Sequence, residues 1–233
     1  MAEQSLWYLE NIDLLNIFCP KKVDNDNPDH FTREYNKGDY IYVPDDKSHL
    51  VFFINSGRVK IGSYGESGKE VTKSILQEGE VFGELAMVGQ QKRSDFAEAL
   101  ETTSICGITV SQMRSLFRDH TKLNLFFLRV LGSRILDMED RLESMVFKDS
   151  RTRVVEYLLK LVEKRGERVG YEYVVRKFIT HQDIANLTAT SRQTVTTVLN
   201  ELKTKNLISF NRKRLLIRDL EALEKELTVG QRS

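Results

Sequence analysis

Residues 180–203 read Thr-His-Gln-Asp-Ile-Ala-Asn-Leu, then Thr-Ala-Thr, then Ser-Arg-Gln-Thr-Val-Thr-Thr-Val-Leu-Asn-Glu-Leu-Lys. Thr180, followed three residues on by Asp183, makes a capping-box-like helix start with Asp in place of the usual Glu or Gln. Ser191 is a second N-cap. The spacing predicts two helices joined by a three-residue turn, a helix-turn-helix. On the second helix Val195, Val198, Leu199 and Leu202 share one face. Arg192, Gln193, Thr196, Asn200 and Lys203 share the other. That face offers hydroxyl, amide and cationic groups and no acid, as a helix lying in a DNA major groove needs. The plainer alternative is an amphipathic helix with a wet face. Ser-Arg-Gln-Thr at the helix start favours DNA.

Working outward, Leu207–Phe210 and Leu215–Ile217 flank Asn211-Arg212-Lys213-Arg214. This predicts a β-hairpin with a basic tip beside the second helix, where Arg212 and Lys213 would neutralise phosphates without reading sequence. Charge supports the placement. Residues 1–150 hold 18 Lys+Arg and 24 Asp+Glu, a net of −6, whereas residues 151–233 hold 17 and 10, a net of +7. A basic module joined to an acidic one suggests that one end meets a polyanion, although a solvated surface alone has the same signature.

Upstream, Leu128, Leu131, Ile135, Met138, Leu142 and Met145 are spaced 3, 4, 3, 4, 3. This is an a/d heptad seam with charged flanks, which predicts a parallel two-fold dimer helix. A second apolar edge, Phe127 and Val130, is free to pack on the N-terminal part. The alternative is a helix packed wholly on its own domain. Phe147-Lys148-Asp149-Ser150 breaks the pattern, and Asp149 is an N-cap for a helix over about 150–164. Before the helices, residues 38–110 alternate short apolar runs with glycines, the pattern of a β-barrel or roll. Residues 19–30 read as a loop. The fold class expected is α+β, divided into 1–120 (roll), 121–147 (dimerisation helix) and 148–233 (winged helix-turn-helix).

Other functions lack their parts. The N-terminus, Met1 to Leu15, is interrupted by Glu3, Glu10 and Asp13 and does not read as a signal peptide. No uncharged apolar run is long enough to span a membrane. A cytoplasmic, non-membrane protein is expected. His30, His49, His120 and His181 are scattered, so a metal site is not expected. No Ser–His–Asp signature points to catalysis. A β-roll metal enzyme with a regulatory tail is the alternative. The two cysteines, Cys19 and Cys106, provide neither a disulfide framework nor an iron–sulfur ligand set. Cys19-Pro20 is a weak haem hint, better read as a helix stop.

Taken in order, Asn55-Ser56-Gly57-Arg58-Val59, Phe82-Gly83-Glu84-Leu85, Arg93-Ser94, Phe147-Lys148-Asp149 and Ser191-Arg192-Gln193-Thr194-Val195 resemble the cyclic-AMP receptor protein and fumarate–nitrate regulator (Crp–Fnr) family. The resemblance covers about residues 35–220. It implies an antiparallel β-roll resembling a cyclic-nucleotide-binding domain, a long dimerisation helix and a winged helix-turn-helix. The implied partners are double-stranded DNA, a second copy and RNA polymerase. It implies that Arg192 reads guanine and that Thr180, His181 and Gln182 hold phosphates, together with Ser191, Gln193, Thr196 and Lys203 in the reading element. Gln193 departs from the family's usual Glu, and Thr197 from a second base-reading Arg.

The resemblance also implies an effector pocket of Gly83, Glu84, Leu85, Arg93 and Ser94, with Glu84 on a ribose hydroxyl and Arg93 on a cyclic phosphate. That chemistry is sound, because a guanidinium fork suits a phosphate. Three departures argue against cyclic AMP. The cassette is one residue short. Asp95 stands where Ala is usual, and a carboxylate about 6 Å from a phosphate costs roughly 3 kcal/mol at an effective dielectric near 20. Met138 and Glu139 fall where hydroxyl side chains would hold adenine. The effector expected is a different cyclic nucleotide or another small anion. A pocket closed by Glu84 and Arg93, with no effector, is the alternative.

Overall fold

The computed structural model describes residues 29–66, 68–119 and 121–229. Contacts divide the chain into two compact units with the boundary between Leu131 and Gly132.

The first unit begins with eight strands: β1 (His30–Tyr35), β2 (Tyr40–Tyr42), β3 (Leu50–Ser56), β4 (Arg58–Tyr64), β5 (Glu70–Gln77), β6 (Val81–Phe82), β7 (Phe96–Ala99) and β8 (Thr103–Thr109). They form two antiparallel four-stranded sheets, ordered β1-β8-β3-β6 and β2-β7-β4-β5. The run Val51-Phe52-Phe53-Ile54 is continuously apolar because both faces of β3 are covered. Phe52 and Ile54 join Tyr42, Val59, Ile61, Phe82 and Ile105 between the sheets. Val51 and Phe53 join Cys106, Ile108 and Met113, and are capped by Leu123, Phe126 and Phe127. These last three lie on the start of the long helix α2 (Thr121–Phe147), which follows α1 (Val110–Asp119). The turn between β3 and β4 needs glycine. Gly57 has φ +92, and a Cβ there would lie 2.5 Å from Thr103 Oγ1.

With 27 residues, α2 is about 40 Å long. Leu123 and Phe127 are spent on the roll, and Val130 packs on the same cluster. The opposite edge is bare. Leu128, Ile135, Met138 and Leu142 are each about 60% exposed, and Met145 is 46% exposed. Leu131 is half-buried.

The second unit continues from Gly132. Asp149 accepts from the Thr152 amide at 2.7 Å and caps α3 (Ser150–Arg165). Then come β9 (Glu167–Val169), β10 (Glu172–Arg176), α4 (His181–Leu187), α5 (Arg192–Thr204), β11 (Ile208–Phe210), β12 (Arg214–Ile217) and α6 (Leu220–Val229). The strands form one sheet, β11-β12-β10-β9. Two features differ from the sequence reading. Strand β1 begins at the end of the expected loop, and the β9–β10 hairpin extends the wing into a four-stranded sheet.

Candidate nucleic-acid interface

The helix-turn-helix is built from its caps. Thr180 Oγ1 accepts from the Asp183 amide at 3.1 Å and donates to the Asp183 carboxylate at 2.6 Å, so Asp183 answers the cap through the hydroxyl. Ser191 Oγ accepts from the Thr194 amide at 3.0 Å. Between the helices the turn Thr188–Thr190 places Ala189 at φ +49. On α5, Val195, Leu199 and Leu202 are fully buried and Val198 nearly so. Arg192, Gln193, Asn200 and Lys203 are exposed, as are Thr180, Gln182 and Ser191. The wing tip is closed by Asn211, whose Oδ1 accepts from the amides of Lys213 and Arg214 at 2.8 and 3.0 Å. Arg212, Lys213 and Arg214 are all exposed there.

Two expected contact residues are partly turned inward. Thr196 is half-buried and its hydroxyl donates to the Arg192 carbonyl at 2.9 Å. With that proton committed, it accepts from His181 Nδ1, also at 2.9 Å. The His181 ring meets Phe210 of β11 edge-on at 5.6 Å. Burial, and then the charge of Arg192, hold His181 below the usual imidazole value. Lys203 Nζ lies 5.5 Å from the Phe210 ring centre. Phe210 thus supports α4, α5 and the wing at once.

A second polar group lies inside the roll. Gly83 has φ +72 and its missing Cβ leaves room for the Arg93 guanidinium, 3.0 Å away. Arg93 is 4% exposed. Its Nη1 donates to the Gly83 carbonyl at 3.0 Å and its Nη2 to the Leu50 carbonyl at 2.5 Å, while Nε makes no hydrogen bond. Its guanidinium carbon sits 4.4 Å from the Tyr42 ring centre. Burial lowers its pKa, against the opposing pull of Tyr42, Asp95 and Glu84. Asp95 does point inward. Its side chain is 14% exposed and pairs with Lys73 at 3.4 Å. Glu84 is buried, Leu85 is exposed, and Ser94 is exposed with its Oγ bonded by Gln90 at 3.0 Å.

A family model described as a cyclic nucleotide-binding domain matches residues 32–120, and one described as a Crp-like helix-turn-helix domain matches residues 152–226. A global nitrogen regulator of Nostoc sp. is 30% identical over 217 residues, 92% of this chain and 96% of the relative. The chain belongs to the Crp–Fnr family. Among further relatives of this Crp–Fnr chain, a global nitrogen regulator of Synechocystis sp. is 30% identical over 83% of this chain and 87% of the relative. A solved CooA mutant from Carboxydothermus hydrogenoformans superposes with a TM-score of 0.77 at 25% identity, covering 93% of this chain and 96% of that one. The family consists of transcription regulators that bind DNA as dimers, and this Crp–Fnr regulator has the family's roll, long helix and winged helix-turn-helix.

Among the described residues no helix is long and apolar enough to cross a membrane, and no group of three His, Cys, Asp or Glu side chains is placed to hold a metal. Met1–Leu15, Cys19-Pro20 and His120 lie outside the described residues. Sequence reasoning missed Arg153 and Arg151. Arg153 bonds the carbonyls of Lys148, Thr188 and Ala189. Arg151 pairs with Glu201 on α5 and Glu226 on α6, and Lys205 pairs with the same two acids. No sequence signal separates these from other charged residues on α3.

Proposed function

We propose that this regulator reads a two-fold DNA site with Arg192 and Gln193 in the major groove, under control of an effector other than cyclic AMP. The observation that carries the DNA assignment is the division of α5 into a buried apolar face and an exposed face of Arg192, Gln193, Asn200 and Lys203. Arg192 would pair bidentately with guanine, and Gln193 would suit an adjacent adenine better than cytosine. Thr180, His181, Gln182, Ser191, Arg212 and Lys213 would grip phosphates, and Thr196 would act by orienting His181. The dimer would close along Leu128, Leu131, Ile135, Met138, Leu142 and Met145, with half-sites about 34 Å apart. The working division is 1–120 for sensing, 121–147 for dimerisation and 148–233 for reading DNA. RNA polymerase is the further partner, the cytoplasm the compartment, and catalysis no part of the role.

Selection of bound sequences from a random pool tests the DNA reading. The wild type should yield a two-fold consensus, and Lys213→Ala should weaken binding to all sequences and reduce the salt slope by about 1 per protomer. A consensus that Arg192→Ala leaves unchanged would defeat the assignment of the reading helix.

Against cyclic AMP stands the roll. A phosphate at Arg93 would meet a buried guanidinium already bonded to the Gly83 and Leu50 carbonyls and would sit beside Asp95, with Lys73 offsetting only part of that charge. The same bonds favour a second reading, in which Arg93 holds the cassette closed and no effector is needed. Titration calorimetry with cyclic AMP tests both: sub-micromolar binding that tightens DNA affinity would refute either reading.

A further inference from the structure

Arg153 lies in the first turn of α3 and ties together the C-terminal ends of two other helices. Its Nη1 donates to the Lys148 carbonyl at 2.7 Å, one residue past the last residue of α2. Its Nε donates to the Thr188 carbonyl at 2.8 Å and its Nη2 to the Ala189 carbonyl at 2.9 Å, at the end of α4. Nη2 also reaches Ser150 Oγ at 3.3 Å. Helix C-termini leave carbonyls without partners in the helix and carry roughly half a negative charge each, so two such ends repel and both attract a cation. One planar guanidinium with five donors satisfies both ends at once. The ammonium of lysine has no fork to do so.

The Thr188 and Ala189 carbonyls belong to the turn that sets where α5 begins. Thr190 is bonded back to the Ala185 carbonyl, and Ser191 starts α5. Within the turn Ala189 occupies the left-handed region at φ +49, uncommon for a residue with a Cβ. On the reading that α5 enters the major groove, we propose that Arg153 is a positioning residue for DNA recognition, fixing the helix-turn-helix turn to the end of the long helix. A displacement of the last turn of α2 is then carried to α5 through Lys148, Arg153 and Ala189, with no contact between Arg153 and DNA.

The test uses the full-length dimer and Arg153→Lys, which keeps the charge but not the fork. Affinity for the selected site should fall roughly tenfold or more, the factor expected when a charge-assisted hydrogen bond is lost. Affinity for unrelated DNA and the salt slope should stay at wild-type values. A folded Arg153→Lys protein with wild-type specific affinity would overturn the proposal. So would an equal loss on all DNA with a reduced salt slope, which would make Arg153 a phosphate ligand. Hydrogen exchange on the wild type gives an independent check. DNA should slow the amides of 188–190 and of 148–153 together, and protection of 188–190 alone would also overturn it. Loss of Arg192 dependence from the consensus would instead defeat the reading-helix assignment.

Discussion

Arg93 and Arg192 are the same residue type, one inside the roll and one at the start of α5, and the structure treats them oppositely. Arg93 is buried, bonded to two backbone carbonyls and stacked on Tyr42. Arg192 stands exposed at the first turn of a helix whose other face is sealed in the core. Long helix α2 repeats the contrast: Phe127 is consumed by the roll, while Leu128 beside it is 65% exposed. A group whose donors or apolar surface are already used inside the fold stabilises the protein. A group left bare at a fixed position is available for a partner.

The contrast is broken most severely on α2. Leu142→Glu should cost dimerisation about 3 kcal/mol or more, by placing an unpaired charge in a closed seam, while the monomer keeps its fold. Sedimentation should show dimer lost at micromolar concentration, and an unchanged dimer would move the interface elsewhere. Next in size is Arg93→Ala. Two buried carbonyls lose their donors, so the roll should lose about 2–4 kcal/mol in thermal or denaturant unfolding. Specific DNA affinity of the folded protein should be little changed. If Arg93→Ala left stability intact and abolished a ligand response, Arg93 would be a receptor after all.

Arg192→Ala should do the reverse. Unfolding should be unaffected, while binding weakens by about 1–3 kcal/mol per half-site and discrimination at one base pair relaxes, measured by competition binding on sites varied there. The smallest effect is one of pH. His181 is held below its usual value in the folded protein, so it binds fewer protons there than when unfolded. Its contribution to stability is therefore present above about pH 6.5 and declines as pH falls below it. His181→Asn should flatten that slope between about pH 7 and 5. The lowered carboxylates Glu156, Glu201 and Glu226 also lose stability in acid, but in a separate window nearer about pH 4.

What the sequence made legible follows from what was periodic or local. The apolar edge of the long helix from Leu128 to Met145, the caps Asp149, Thr180 and Ser191, and the wing tip each depend on residues within a few positions of one another. Strand β1 was hidden because His-Phe-Thr-Arg-Glu-Tyr is largely polar and borders a turn-rich stretch. Its pairing partner β8 lies far along the chain. The fate of Arg93 was not legible either. The sequence places it beside Ser94 in a phosphate-binding pattern, and only the fold delivers the Leu50 carbonyl to it. Arg153 shows the same limit, since it looks like any solvated arginine until the turn 35 residues away is folded against it.

The Asn211 turn has a consequence for how this molecule meets a duplex. With its side chain bonded to the two amides that follow and its own amide bonded to the Arg214 carbonyl at 2.9 Å, the wing is already ordered before any encounter. A loose basic arm would surrender about 1–2 kcal/mol of backbone conformational entropy for every residue it ordered on the phosphates. This tip gives up little beyond side-chain freedom. Its three cations arrive on a fixed backbone, so productive capture depends on the orientation of the whole module in the field of the duplex rather than on a search by a flexible tail.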